Sequence, residues 1–562
     1  MSEKVWLSTY PKEVSPSYEY PKQNLAQFLI ETAQKYPKKK ALYFLGTTMT
    51  YEELLIRTYQ FANALKNIGI RKGDRVSIML PNSPQAIISY YGSLMIGAIV
   101  VQTNPTYVER ELEYQLNDSD AKIIIALDLL YKRVQRVIPQ TNVKYQIFTS
   151  IKDYLPFPKN ILYPLKVKKD GLSMDVTYSD TIYSFARLLK TTSSTPSMIE
   201  LDPMKDLALL QYTGGTTGVS KGVMLTHYNL VANTLQTRAW CYKSEEAKEK
   251  YLAALPFFHV FGMTVLMNLS MKMAGELVLL PKFDIDMALK MIDKQKPTIF
   301  PGAPTMYISL INHPEVKKYD LSSVNICISG AAPLPGDVQE TFEQLTGGRL
   351  TEGYGLTETS PVTHANTIWE KRKLGSIGIP FPDTEAKVVD PETGEDVDNG
   401  QIGELVIRGP QVMLGYWKKT EETSQAIRNG WFYTGDMATM DHDGFFYIID
   451  RKKDLIIAGG FNIYPRDIEE VLFDHPNIID AVVIGVPDEY RGETVKAFLV
   501  LKEGTMLGEE EIDSFCRERL ASYKVPRIYE FRDSLPKTLI GKTLRRVLIE
   551  EEKENQRSNG NV

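Results

Sequence analysis

The sequence predicts an α/β protein: a large N-terminal domain of several subdomains followed by a small α+β C-terminal domain. Two patterns point to it. Strand-like apolar runs that end in Gly, Pro or Thr alternate with helical patterns over most of the 562 residues, as expected of strands connected through helices. Near the end, the charged cluster Asp450-Arg451-Lys452-Lys453-Asp454 stands between the strand GFFYIID and the strand LIIAGG. The boundary is placed there, giving domains at 1–449 and 450–562. At roughly 150 residues per unit, the length suits three or four folding units.

Taken in order, Arg75 to Leu80 reads as a strand. No charged residue separates Arg75 from Glu109, but Pro81 to Gln85 and Gln102 to Pro105 leave an apolar stretch short of the ~20 residues a membrane span needs. A turn, a buried helix and a strand at Ala98 to Gln102 fit better. Further strands are expected at IIIAL near Ile123, LALLQYT at Leu207, TIFPGAP at Thr298 and NICISGAAPL at Asn325. Beyond about Gly375, short runs such as EAKVVDPETGE and GELVIRG suggest a smaller β-rich region. After the charged cluster come a helix at Pro465 to Asp474, strands at Asp480 to Gly485 and Val495 to Lys502, and a helix at Glu509 to Leu520. The polar tail from Glu550 is expected to fray. Between Lys152 and Lys169, lysines interleave with Tyr154, Phe157, Ile161, Leu162 and Tyr163. Pro156, Pro158 and Pro164 argue against a regular helix, so a packed, solvated loop is expected, with contact to anionic lipid as the alternative.

Charge excludes some functions. Lys and Arg number 65 against 70 Asp and Glu, a net charge of −5, so no general affinity for nucleic acid is expected. Cys241, Cys327 and Cys516 lie too far apart to form a disulfide framework or a metal motif by spacing. A reducing compartment, the cytoplasm, follows, and the opening residues lack the apolar core of a signal peptide.

The most informative segment is LLQYTGGTTGVSKGV from Leu209 to Val223. A buried strand delivers Thr213, Gly214, Gly215, Thr216, Thr217 and Gly218, then Lys221. Glycines let successive N–H groups turn towards one anion, hydroxyls add donors, and the lysine adds charge. This is a phosphate cradle, though not the Walker pattern, because Ser220 precedes Lys221. In TEGYGLTE, Thr351 to Glu358, the last position of a dinucleotide fingerprint is the carboxylate Glu358, which suits Mg²⁺ better than bare pyrophosphate. Tyr354 offers a ring for a purine, and Asp436 in GWFYTGD could accept two ribose hydroxyls, with Arg451 a second contact. Six histidines show no metal spacing. His259, in LPFFHVFG, is either a core residue or a wall of a pocket.

In this order, YTGGTTGVSKG, LPFFHVFG, EGYGLTE, YTGD, DRKKDLIIAGGFNIYP and LPKTLIGK resemble the adenylate-forming superfamily of acyl-CoA synthetases, luciferases and peptide-synthetase adenylation domains. The stretches VVQTNPTYVERELEYQL and PDEYRGETVKAF resemble bacterial long-chain fatty acid–CoA ligases in particular. The resemblance implies the adenylate-forming fold, with a mobile C-terminal cap, and the substrates ATP, coenzyme A and a fatty acid, with Mg²⁺. A carboxylate would attack the α-phosphate to give acyl-AMP and pyrophosphate, and the CoA thiol would then displace AMP.

Carried over by position, the Thr213 to Lys221 loop would hold the β- and γ-phosphates, and Glu358 with Thr213 the Mg²⁺. Gly330, Ala331, Glu352, Gly353 and Tyr354 would surround adenine, with Thr357 near the α-phosphate and Asp436 and Arg451 on the ribose. Lys453 would be the hinge. Lys542 would bridge substrate carboxylate and α-phosphate during adenylation, and Gly459 and Gly460 would cover a pantetheine tunnel afterwards. His259, Val260, Gly262, Met263, Ser329 and Gly330 would line the acyl pocket. Asp467 departs from the pattern, which often has Glu there, and Glu469 follows in the same helix to compensate. An adenylating ligase for an aryl or shorter acid, one that stops at acyl-AMP, and a non-catalytic binding protein stay open as alternatives. Homodimer formation and peripheral membrane contact are also left open.

Overall fold

A computed structural model describes residues 4–172, 174–196, 198–213, 220–458, 461–488, 491–505, 507–538 and 543–559. Its largest sheet has eight strands and is built around β1 (Arg75–Met79) and β2 (Ile99–Gln102), which run parallel. β3 (Leu207–Tyr212) joins β2 in parallel, and β4 (Gly222–Thr226) returns antiparallel to β3 with Tyr212 opposite Gly222. Side chains alternate between two apolar clusters: Val76 and Ile78 enter the main core, and Met79 enters a second cluster on the other face with Ile124 and Ala126. A sheet buried on both faces needs this near-continuous apolarity. It also accounts for the uncharged stretch after Arg75: α1 (Pro84–Met95) is buried at every position, with Pro84 at its first turn and Ser83 capping it. Among the described residues no helix is long and apolar enough to cross a membrane.

The segment Lys152 to Lys169 departs from expectation. α2 (Lys159–Lys169) forms there with Pro164 inside it. A mid-helix proline forfeits one backbone bond, but buried Val167 and partly buried Tyr163 anchor the helix, and Lys159 Nζ donates to the Leu45 carbonyl at 3.0 Å. TIFPGAP also differs. It makes only single bridges at Ile299 and Gly302, since Pro301 between them has no N–H to give.

Downstream, α3 (His227–Trp240) starts on a reciprocal cap in which Thr226 Oγ1 accepts from Asn229 N at 3.1 Å. β5 (Ile326–Ser329) and β6 (Arg349–Gly355) run parallel in a four-stranded sheet. β7 (Gly415–Tyr416) adds to β4 at the edge of the large sheet. β8 (Trp431–Met440) and β9 (Phe446–Arg451) form an antiparallel pair in a five-stranded sheet. The main core runs from Trp6 to Phe446.

From β10 (Ile456–Ala458) onward the apolar residues form separate clusters. α4 (Pro465–Phe473) precedes the long hairpin of β11 (Ile478–Asp488) and β12 (Gly492–Leu501). Ala481, Val483 and Leu499 face the cluster containing α4 and α5 (Glu509–Arg517), while Val482, Ile484 and Phe498 face Leu548 of α6 (Arg545–Asn559). The tail expected to fray from Glu550 is thus the continuation of α6, which Leu548 docks on the sheet.

Candidate active site

The ends of parallel strands β5 and β6 open at one edge, with Ser329 opposite Glu352. Ser329 is fully buried and its hydroxyl has no hydrogen-bond partner. Beyond β6 the chain turns through a 3-10 turn at Thr357–Thr359, which carries Thr357 and Glu358. Across from it, β8 and β9 place Asp436 opposite Arg451. Gly435 makes this possible: at φ +72° it adopts a left-handed conformation, and Asp436 N then returns to Thr434 Oγ1 at 3.1 Å.

Asp436 is 1% exposed, and its carboxylate is clamped from two sides. Arg451 Nε lies 2.7 Å from Oδ1, and the Tyr354 hydroxyl donates to Oδ2. Asp436 in turn raises the Arg451 pKa, and burial with the Asp436 charge keeps Tyr354 protonated. His364 packs edge-on to Tyr354 and to Phe446, with centroid separations of 6.0 and 4.8 Å, and so buttresses the ring. Each carboxylate oxygen retains a second lone pair, so Asp436 can still accept hydroxyl donors.

Tyr416 was not among the residues expected at the site. Its hydroxyl donates to Glu358 Oε1 at 2.8 Å, and Lys221 Nζ sits 4.4 Å from its ring centroid. β7 positions it by pairing Tyr416 with Val223, two residues beyond Lys221. One aromatic side chain thereby contacts both Glu358 and Lys221. The only signal was a Tyr-Trp pair in a short run, GYWKK, too brief to mark as a strand. Thr213 N bonds the Lys221 carbonyl at 3.1 Å, so the loop leaves and re-enters the sheet at one point. Gly214, Gly215, Thr216, Thr217 and Gly218 lie outside the described residues.

Lys453 joins this group. Burial, aided by the charges of Arg451 and Lys221 against those of Asp454 and Asp436, lowers its pKa to about 8. Glu358 also acts on Arg451. Asp436, Arg451, Lys453, Lys221 and Glu358 therefore form one electrostatic row.

Glu352 is 8% exposed, and burial raises its pKa to about 7, opposed by the Arg466 charge and the Leu334 N–H. Gly330 packs under the Phe261 ring, Ala331 has φ +71°, and Gly353 faces Ile328. His259 is partly buried, and its Nδ1 accepts from Phe261 N at 3.3 Å. Val260 and Met263 are buried in the main core around the π-helix Gly262–Asn268. Gly262 is required there, because a Cβ would lie 2.4 Å from the Pro256 carbonyl oxygen.

In the C-terminal part, Gly459, Gly460 and Lys542 lie outside the described residues. Asp467 reaches Lys524 at 2.5 Å, while Glu469 pairs with Arg545 Nη2 at 2.5 Å and accepts Val483 N at 2.8 Å. Arg545 also lies 3.5 Å from Asp454 and 3.9 Å from Asp450. Arg545 thus ties the start of α6 to Asp450 at the end of β9 and to Asp454 just beyond it. Burial raises the Asp450 pKa to about 6, with Arg545 holding it down.

Residues 29–417 match the family described as AMP-binding enzyme, and 467–542 match its C-terminal domain. The chain is 54% identical over 555 residues to the long-chain-fatty-acid–CoA ligase of Bacillus subtilis (strain 168), covering 99% of both. It is 40% identical to the enzyme of that name from Escherichia coli O157:H7, covering 98% of both. Among solved structures, ATP-bound MatB from Rhodopseudomonas palustris superposes with a TM-score of 0.83 at 30% identity, over 95% of this chain and 99% of that one. The chain belongs to the AMP-binding enzyme family, with both the large domain and the C-terminal domain of that family present.

Proposed function

We propose that the protein is an ATP-dependent long-chain fatty acid–CoA ligase, forming acyl-AMP and pyrophosphate and then acyl-CoA and AMP. The observation that carries this reading is the electrostatic row. Asp436, held by Tyr354 and Arg451, offers acceptors to the ribose hydroxyls, and Lys221 and Lys453 supply cations where the phosphates would lie. Glu358 fits a Mg²⁺ ligand, as a carboxylate held on one oxygen by Tyr416. Among the described residues no three His, Cys, Asp or Glu side chains gather into a metal cage, and an ion bound mainly through substrate phosphate needs none. Bound there, the ion would neutralise charge on the phosphates. The protein would do the rest by alignment and charge: the fatty carboxylate must approach the α-phosphate in line, and Lys542 would draw the two anions together as a point charge. Full-length likeness to two long-chain-fatty-acid–CoA ligases supports the choice of acid.

The domain boundary near Ile449 belongs to the same reading, with Lys453 as hinge and the apolar clusters after Ile456 as the cap's own core. So does a cytoplasmic setting, consistent with three buried free cysteines. Sedimentation would settle the homodimer left open above. The test of the function is a panel of acids of graded length, aryl acids included, with MgATP and with or without CoA. We expect AMP and acyl-CoA in equal amounts and the highest kcat/KM for long chains. A maximum at short or aryl acids, or acyl-AMP accumulating despite CoA, would overturn it.

A further inference from the structure

We infer that α2 with its flanks is a docking element for an anionic lipid surface. This goes beyond the catalytic reading and does not depend on which acid is activated. Of the 20 large apolar side chains exposed among the described residues, Phe157, Ile161, Leu162, Leu165, Leu172 and Tyr178 fall within one short stretch. Phe157 is 78% exposed, Leu165 65% and Ile161 61%.

Helical geometry makes these a surface. At 100° per residue, Ile161 and Leu165 stack one turn apart on a single face, and exposed Phe157 lies in the segment that leads into the helix. The opposite face, with Tyr163 and Val167, packs on the body. The helix is thus anchored by one apolar side and presents another to the outside. Stably exposed apolar faces of this kind mark interaction sites.

Charge selects the occupant. Lys166, Lys168 and Lys169 are exposed beside the apolar face, and none makes an ion pair among the described residues. From Phe157 to Leu172, four lysines face a single aspartate, Asp170, in a chain whose net charge is −5. An apolar stripe bordered by unpaired lysines complements a bilayer interface, where acyl chains accept the stripe and anionic headgroups the ammonium groups. A second copy of the same face would set lysine against lysine across a two-fold axis.

The test is flotation of the purified full-length protein with vesicles of phosphatidylcholine alone or with about a third phosphatidylglycerol, free of fatty acid. The wild type should float with the anionic vesicles, should remain in the aqueous fraction with phosphatidylcholine alone, and should be released by added salt. The triple variants Phe157→Ser/Ile161→Ser/Leu165→Ser and Lys166→Gln/Lys168→Gln/Lys169→Gln should each bind about tenfold less or weaker. Their unfolding midpoints should match the wild type, since all six side chains are exposed. A wild type that stays aqueous, salt-insensitive binding to neutral vesicles, or variants that float like the wild type would each overturn the proposal. So would a wild-type dimer, free of vesicles, that the apolar variant converts to monomer.

Discussion

Burial lowers the Lys453 pKa to about 8, while the charges of Asp454 and Asp436 oppose those of Arg451 and Lys221. A folded pKa below the unfolded value of roughly 10.4 means the unfolded chain binds more protons between those limits. Its ammonium form is therefore disfavoured in the free protein, and a triphosphate beside it should restore that form. MgATP binding at pH 8 to 8.5 should take up protons, measurable by calorimetry in buffers of different ionisation heat, and Lys453→Met should abolish most of the uptake. Glu352 gives the opposite sign. Its pKa of about 7 lies above the ordinary carboxylate value, so the folded state binds more protons and stability falls as pH rises from about 4.3 to 7. Glu352→Gln should lose less unfolding free energy between pH 5 and pH 8 than the wild type, by on the order of 2 kcal/mol, measured by denaturant titration.

At the scale of elements, Arg545 links three pieces of chain: the segment after β9, α4 and α6. We propose that it is a positioning residue, because its ion pairs are with Asp450, Asp454 and Glu469. Arg545→Met should leave the Kd for ATP within about twofold and lower the adenylation rate at least tenfold, with Arg545→Lys recovering part of the loss. Pre-steady-state kinetics with separate ATP-binding measurements checks this. Equal losses in binding and rate would indicate general unfolding instead. The contrast with Asp436 shows what a sequence reveals. Asp436, Glu358 and Tyr354 sit in short motifs, so their residue types make them candidates, and the fold brings Tyr354 onto Asp436. Arg545 and Tyr416 act through partners 76 and 58 residues away, Glu469 and Glu358, and only the folded chain brings these together. Strands from Arg75 to Gln102 were legible because apolar alternation is itself the cause of the sheet. The helix α2 was not, because Pro164 lowers local propensity while the anchoring of Tyr163 and Val167 is tertiary.

For the whole molecule, the slight acidity now has a physical meaning. On the proposed function, a chain with no general excess of positive charge leaves phosphate recognition to placed cations: Lys221 in the large domain, and Arg451, Lys453 and Lys542 from the boundary onward. On the proposed mechanism one site serves two half-reactions, and Lys542 serves only the first. Single-turnover kinetics of Lys542→Ala tests it most directly, with adenylation followed from ATP and fatty acid, and thioester formation followed from preformed acyl-AMP and CoA. We predict adenylation slowed by about a hundredfold or more while acyl transfer to CoA stays within a few fold of wild type. Equal slowing of both half-reactions, or adenylation at the wild-type rate, would contradict the account.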